Sequence, residues 1–278
     1  MHDALGQARF TVRMDWGVQG AQAIGPGADF VVIVDVLSFT TTVSVALDLG
    51  AEVFPYPWGD ESAHAFARRH RALLAVGRSE VAAVRASGAG EGRLPQVSLS
   101  PASIRATPGL DRIVLPSPNG SALASALAGP RQESRGVQIL GACLRNRTAV
   151  AGWLTRQSSR SPANGAVIAI VAAGEQWPDN SLRPAAEDLW GAGAVIAALD
   201  SLGVTGLSPE ARSAAAAWHA VEPTLAAALA GCASGAELAG AGFGGDVAIA
   251  GELDASVCVP LLAGGRFADA AKTTDLGS

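Results

Sequence analysis

Asp35 stands out because it follows an unbroken apolar run and precedes a cluster of hydroxyl side chains. The run, Phe30–Val34, has the composition of a buried parallel strand, and ligands bind beyond the carboxyl ends of such strands. Thr40 and Thr41 open a helix-like pattern whose first N–H groups would attract an anion. An acid that binds a metal, beside amides that bind a phosphate, would be a productive pair. The same residues could serve only as cap and turn residues, and this stretch alone leaves both interpretations open.

A second candidate anion site is the turn that contains Asn119, Gly120 and Ser121. It follows an apolar segment at residues 112–115 and precedes a helix-like segment. Gly120 allows close approach to the backbone, while Asn119 and Ser121 offer side-chain donors. Backbone N–H groups of such a turn can hold a phosphate, but an ordinary Asn-Gly turn with a serine cap has the same sequence.

Asn146 occupies a comparable position between a predicted strand at residues 136–140 and a predicted helix at residues 146–157. Its side chain could cap that helix or bind a ligand. The neighbouring Arg145 and Arg147 could pair with an anion or lie in solvent. The sequence leaves these alternatives open.

Two adjacent acids, Glu187 and Asp188, begin a helix-like segment at residues 185–199. Acids in a first turn stabilise the helix dipole, and this alone would explain them. Together with Asp35 they would form an anionic, oxygen-rich site. Mg²⁺ is typically held by one or two carboxylates with waters and substrate phosphate, so these acids predict Mg²⁺ as a cofactor.

Several other chemistries lack support in the sequence. None of the four histidines lies in these turns, which argues against a histidine metal site or a Ser-His-Asp triad. No dinucleotide-binding or P-loop motif follows a predicted strand. The three cysteines are far apart in the chain, which argues against a disulfide framework or a zinc site and favours a reducing compartment. A net charge of −5 gives no indication of nucleic-acid binding.

The order of predicted elements is strand, helix, strand, helix through most of the chain, which indicates an α/β fold with a mostly parallel sheet. Right-handed crossovers would then bring the strand-to-helix turns to one edge. Residues 77–99 interrupt the alternation and are predicted to form a loop. After residue 203 the sequence is more helical, so we expect a sheet core at 1–203 and a helical portion at 204–278, or one single domain over 1–278.

The alanine-rich helices predicted at residues 209–219 and 223–230 could pack on the core, which we favour, or form a homo-oligomer interface. No apolar run is long enough for a membrane helix, and the first residues lack a signal-peptide core. We therefore expect a cytoplasmic protein with no membrane partner.

The segments that carry these residues resemble the 2-phosphosulfolactate phosphatase (ComB-like) family, in the family's order. The similar segments are residues 34–42, 100–101, 118–121, 146–150, 173–174, 187–193, 245–247 and 259–260. The resemblance implies a three-layer α/β/α fold and Mg²⁺-dependent hydrolysis of a phosphate ester on a small sulfonated hydroxy acid.

The chain departs from the family pattern at three places, one of which is the family's Gly-Glu motif, whose spacing is disturbed at residues 77–80. Ser38 stands where the family's first motif has an arginine, and Ser cannot replace the charge of an anion-binding guanidinium. Leu99 precedes Ser100 where the family has an asparagine. Arg78, Arg145 or Arg147 are the candidates to supply the missing charge.

These observations predict a Mg²⁺-dependent phosphatase acting on a small anionic phosphate ester, with attack by water or by Asp35 left open. The alternative is a catalytically inactive relative that binds an anionic metabolite. We expect the catalytic and metal-binding residues to be Asp35, Glu187 and Asp188. We expect the substrate to contact Ser38, Thr40, Thr41, Ser100, Asn119, Gly120, Ser121 and Asn146.

Overall fold

The computed structural model describes residues 2–57, 62–78, 97–128, 136–159 and 165–273. Nine strands form one sheet: β1 (Val12–Trp16), β2 (Phe30–Val34), β3 (Glu52–Tyr56), β4 (Leu73–Leu74), β5 (Arg112–Pro116), β6 (Gln138–Ala142), β7 (Ile168–Ala172), β10 (Pro260–Ala263) and β11 (Arg266–Asp269). A separate two-stranded ribbon contains β8 (Glu175–Gln176) and β9 (Leu182–Arg183).

The helices surround this sheet. In chain order they are α1 (His2–Leu5), α2 (Gly17–Ile24), α3 (Phe39–Asp48), α4 (Ser62–His70), α5 (Pro101–Arg105), α6 (Gly120–Leu127), α7 (Arg147–Ser158), α8 (Ala186–Ser201), α9 (Pro209–Val221), α10 (Leu225–Gly231), α11 (Ala233–Gly240), α12 (Gly244–Ala250) and α13 (Ala270–Thr273). A 3₁₀ turn, Glu222–Thr224, joins α9 to α10.

The sheet consists of two parallel groups joined by a hairpin. The strand order is β1-β7-β2-β6-β10-β11-β3-β5-β4. The first four strands pair in parallel, as do the last three. The hairpin of β10 and β11 lies between the groups with antiparallel pairings, and a single register pair, Phe267–Val53, connects it to β3. The strands β2 and β5 therefore belong to different parallel groups. A shared edge of one parallel sheet, as predicted from the sequence, does not by itself explain why the turns after these two strands meet.

Both faces of the sheet are covered, which produces the predicted α/β/α layers. Along β2, Val32 and Val34 belong to one core cluster while Val31 and Ile33 belong to another. Residues of α7, α8 and α9 cover the first face, and residues of α2, α3 and α6 cover the second. An apolar strand with no polar alternation is the expected sequence for this position.

The C-terminal part of the chain supplies both helices and strands. Besides its helices it contains the strands β10 at Pro260–Ala263 and β11 at Arg266–Asp269, and β11 was not predicted from the sequence. A division at residue 203 would therefore separate neighbouring strands of one sheet. The sequence also missed β1 and α2. Most of the predicted loop at 77–99 lies outside the described residues.

The alanine-rich helix α9 packs into the core, as the favoured interpretation predicted. Ala211, Ala214 and Trp218 are buried in the cluster that covers α8. At Gly193 of α8 a Cβ atom would lie 2.0 Å from the carbonyl oxygen of Ala214, so only glycine allows the two helices to approach this closely. Association between copies of the chain stays a prediction.

Two further observations concern membranes and cysteines. Within the described ranges, no helix combines the length and apolarity needed to cross a membrane. Cys143, Cys232 and Cys258 are all buried and unpaired.

Candidate active site

Asp35 is buried at the end of β2, with 4% of its surface exposed, and bridges two helices. Its Oδ1 accepts the N–H of Phe39 at 3.0 Å, and its Oδ2 accepts the N–H of Gly120 at 2.9 Å. Phe39 and Gly120 are the first residues of α3 and α6, so the carboxylate lies between two helix N-termini. Asp35 therefore does cap α3, and it also joins the turn at residues 118–121. A Cβ atom on Gly120 would lie 2.7 Å from Asp35 Oδ2, which makes glycine necessary there.

Threonine and serine hydroxyls fix the backbone that presents Asp35. Thr40 Oγ1 donates to the carbonyl of Asp35 at 2.7 Å and accepts the N–H of the same residue at 3.0 Å. Thr41 Oγ1 donates to the carbonyl of Val36 at 2.7 Å, and Ser121 Oγ donates to the carbonyl of Leu115 at 2.6 Å. The structure thus uses the hydroxyl protons of Thr40, Thr41 and Ser121 on the backbone, where they hold the two turns in place.

The predicted acidic pair lies at the start of α8, where both side chains are buried. Asp188 Oδ1 accepts the N–H of Val36 at 2.7 Å, and its Oδ2 accepts the N–H of Gly174 at 2.8 Å. Asp188 therefore joins the loops that follow β2 and β7. Glu187 lies against the thiol of Cys232, and burial, followed by the charge of Glu187, raises the pKa of that thiol to about 11.

Glu175 is a further acid at the site, and it contacts the predicted anion turn. Asn119 Nδ2 donates to Glu175 Oε2 at 2.7 Å. This contact connects the turn before α6 with the residue that begins β8. Asn119 therefore lies in the turn before α6 with its amide group paired with an acid, and its contact with a phosphate stays a prediction.

Arg78 brings a positive charge to Ser38. Its Nη2 donates to Ser38 Oγ at 2.6 Å, and its Nε donates to Asp246 Oδ2 at 3.0 Å. Asp246 is buried and also accepts hydrogen bonds from Ser100 Oγ and from the N–H of Ala102. Of the three arginines considered as a source of the missing charge, Arg78 is therefore the one that contacts Ser38. Ser100 helps to position Asp246, the acid that pairs with Arg78.

Several of these side chains line one cavity of about 580 Å³. Asp35, Ser38, Asn119, Glu175 and Arg78 supply part of its polar lining. Its apolar lining includes side chains from the turn after β2 and from the end of α11 and the following loop. Glu187 and Asp188 are not part of the lining, although the charge of Glu187 acts on Asp35.

Burial and mutual repulsion raise the pKa values of three of the acids, Asp35, Glu175 and Asp188. Burial is the main cause for Asp35, whose pKa rises to about 6 although the Phe39 and Gly120 amides oppose the rise. Burial and then the charge of Asp35 raise the pKa of Glu175 to about 7. Burial, Asp35 and Glu187 raise the pKa of Asp188 well above its ordinary value. Buried carboxylates that repel each other favour a bound cation or proton.

The sequence of the chain matches a known protein family over most of its length. The sequence model of the family described as 2-phosphosulpholactate phosphatase matches residues 22–265 of this 278-residue chain. The chain belongs to this family. A search of curated proteins found no match. Family membership makes the chain a phosphoric monoester hydrolase of the 2-phosphosulpholactate phosphatase type, as the sequence resemblance predicted.

Not every predicted substrate residue of this family member faces the cavity. Asn146 Oδ1 accepts the N–H of Cys143 at 2.8 Å, and its Nδ2 donates to the carbonyl of Cys258 at 3.2 Å. Arg145 pairs with Asp48 and Glu252. Arg147 pairs with Glu222 and Asp254. The structure therefore uses all three in contacts that include the C-terminal segments, and none of them is part of the cavity lining.

The predicted metal-ligand set needs a correction. Among the residues that the structure describes, no group of three or more His, Cys, Asp or Glu side chains is arranged to hold a metal ion. Asp35 and Asp188 each direct both oxygens to backbone N–H groups, because each side chain joins separate loops. Asp35, Glu187 and Asp188 thus do not converge as three ligands of one ion.

Glu175 and Asp246 are two residues of the site for which no role was predicted from the sequence. Glu175 carries the same signal as Asp35, because it is the first acid after a fully buried strand. Asp246 lies in the first turn of a short helix, inside a segment that resembles the family. Its partner Arg78 lies far away in the chain, so only the folded structure could show their contact.

Proposed function

We propose that this family member is a Mg²⁺-dependent phosphatase that hydrolyses a small anionic phosphate ester in the cavity beside Asp35. The observation that supports the proposal best is the position of Asp35 between the first N–H groups of α3 and α6. Ser38, Asn119, Arg78 and Glu175 line the same cavity. A charged acceptor and several donors around one space fit phosphoryl transfer, where catalysis depends on positioning and charge stabilisation.

The acids fit Mg²⁺ in donor type and in charge. Mg²⁺ prefers carboxylate oxygens and needs only one or two of them, with waters and phosphate oxygens as the other ligands. Each Asp35 oxygen accepts one hydrogen bond and has acceptor capacity left. We assign Asp35 and Glu187 to the ion, with Asp188 as a positioning residue. When bound, Mg²⁺ would neutralise charge on the phosphoryl group and lower the pKa of a bound water.

The chain's own residues would then share the remaining tasks. Ser38 and Arg78 would bind phosphoryl oxygens, and the turn at Asn119 would close the other side. Glu175, with a pKa of about 7, can hold a proton near the leaving oxygen at neutral pH. We infer that water attacks rather than Asp35, because we assign the remaining lone pairs of the Asp35 oxygens to the metal ion.

The alternative of an inactive, metabolite-binding relative was motivated by the missing arginine at position 38. The contact between Arg78 and Ser38 removes this motive, since a guanidinium reaches the same position from another segment. Activity is therefore the better-supported proposal.

The proposal is tested by phosphate release from phenyl phosphate at neutral pH, with Mg²⁺ and with a chelator. We expect turnover with Mg²⁺, and a loss of at least about 10²-fold with the chelator that added Mg²⁺ reverses. Thermal stabilisation by inorganic phosphate, with no ester hydrolysed under any condition, would favour the inactive relative instead.

A stability measurement tests the charge balance without using activity. The raised pKa values of Asp35 and Glu175, about 6 and 7, mean that these groups favour folding when protonated. That stability is present below their ordinary pKa values and is lost as pH rises through about 6 to 7. We expect the unfolding free energy of the metal-free protein to fall between pH 5 and pH 8, and Mg²⁺ to restore it at pH 8.

Urea unfolding at several pH values would measure this change. For Glu175, the rise of the pKa from 4.5 to about 7 corresponds to roughly 3 kcal/mol of unfolding free energy. Glu175→Gln should therefore reduce the fall of the unfolding free energy with pH by up to that amount. Glu210→Gln, at an exposed position on α9, is the matched control and should keep the wild-type slope. A wild-type curve that is flat over this range would argue against the proposed charge balance.

A further inference from the structure

The cavity beside Asp35 is much larger and more apolar than a phosphoryl group requires. Its volume of about 580 Å³ would hold roughly nineteen waters. Six large apolar side chains line it: Leu37, Phe39, Leu99, Leu115, Leu238 and Phe243. Small-molecule sites of this size usually combine apolar walls with a few polar groups that set orientation. A short polar ester would contact few of these walls and would leave much of the volume to water.

The charges of the lining residues that the structure describes do not provide a place for a second anion. Among the described lining residues, Arg78 is the one basic side chain, against the acids Asp35, Glu175 and Glu237. Arg78 already pairs with the buried Asp246 and reaches Ser38. It can therefore serve one anionic group, which the proposed function assigns to the phosphoryl group. A carboxylate or sulfonate elsewhere in the cavity would face acids and apolar carbon.

One apolar wall of the cavity comes from the C-terminal helical region. Leu238 near the end of α11 and Phe243 just before α12 both line the cavity. The Phe243 ring centre lies 5.6 Å from the guanidinium carbon of Arg78. Arg78 therefore lies between Ser38 on one side and this wall on the other. A substrate whose phosphoryl group meets Ser38 and Arg78 could extend its alcohol portion along Phe243 and Leu238.

We infer that the substrate is a phosphate monoester of an apolar, aromatic or branched alcohol without a second anionic group, and that Leu238 and Phe243 select it. The inference rests on the proposed phosphatase function. In the reaction a water oxygen bonds to phosphorus, the bond between phosphorus and the ester oxygen breaks, and a proton passes to the alcohol oxygen. The products are the free alcohol and inorganic phosphate.

The test compares primary alkyl esters whose leaving alcohols have similar basicity. The probes are 2-phenylethyl phosphate, ethyl phosphate and the phosphate ester of 3-hydroxypropionate. For the wild-type protein we expect kcat/KM for the phenylethyl ester to exceed that for the ethyl ester by at least about tenfold. Phe243→Ala and Leu238→Ala should each lower this ratio by about threefold or more. Leu253→Ala, outside the lining, should leave the ratio unchanged.

The outcomes separate this inference from the proposed function. Hydrolysis with a phenylethyl-to-ethyl ratio near one, or with the carboxylate ester preferred, overturns the inference and leaves the phosphatase function standing. If no ester is hydrolysed, the proposed function fails, and calorimetric binding of the phenylethyl and ethyl esters decides. Tighter binding of the phenylethyl ester that Phe243→Ala or Leu238→Ala weakens would support the apolar site, and equal binding would overturn it.

Discussion

Asp35→Asn is expected to lower kcat/KM for phosphate ester hydrolysis by about 10³-fold or more. The substitution removes the charge that we assign to the cation. It also places an amide N–H₂ group against one of two backbone N–H donors, those of Phe39 and Gly120. Steady-state phosphate release at saturating Mg²⁺, with urea unfolding in parallel, would measure the loss and show that the variant is folded.

Asp29→Asn is a matched control at the residue that precedes the same strand. Asp29 lies at the other end of β2, is exposed, and accepts the N–H of Val167 at 2.8 Å. Its substitution also replaces a carboxylate that accepts a backbone amide, but far from the cavity. We expect activity within about twofold of the wild type. Comparable losses in the Asp29 and Asp35 variants would show that a structural defect, and not the missing charge, explains the result.

Arg78→Gln is expected to lower kcat/KM by about 10²-fold, because it removes the one basic side chain among the described residues of the cavity lining. Arg78→Lys should lie between this variant and the wild type. A lysine keeps the charge but cannot reach Ser38 and Asp246 together in the same geometry. Initial rates over a range of ester concentrations would separate effects on KM from effects on kcat.

Two further variants make the Arg78 prediction specific. Arg112→Gln breaks a largely exposed ion pair with Glu52 and should leave activity within about twofold of the wild type. Ser38→Arg in the Arg78→Gln background returns a guanidinium to the position where the family pattern has an arginine, and should recover about tenfold of the lost activity. Wild-type activity in Arg78→Gln alone would rule out an anion-binding role for Arg78.

The parts of the site that follow directly from local sequence could be predicted. The apolar run of β2 indicated a buried strand, and this placed Asp35 at its carboxyl end. The Asn119 and Gly120 turn was recognised from its residue types, and its contact with Asp35 follows from the small size of glycine. Asn146 differs, because its side-chain partners are not all set by local sequence. Its position before a helix is as predicted, but its side chain is used on Cys143 and Cys258.

The features that the sequence did not reveal depend on distant segments. The hairpin of β10 and β11 inserts between β6 and β3, and its short strands carry little periodic signal. The ion pair between Arg78 and Asp246 joins residues 168 positions apart. A single acid such as Glu175 can be recognised as a site residue only when the turns that surround it in the fold are known. The convergence of these segments is set by packing of the whole core, which no local pattern encodes.

The measurement that most directly tests the central claim is a crystal structure of the protein soaked with Mn²⁺, as a visible substitute for Mg²⁺, and inorganic phosphate. We predict an anomalous peak about 2.0–2.3 Å from a carboxylate oxygen of Asp35 or Glu187. We also predict a phosphate in the same cavity that contacts Ser38, Arg78 and the turn at Asn119. A metal and a phosphate bound elsewhere, with the cavity beside Asp35 containing only solvent, would contradict this account.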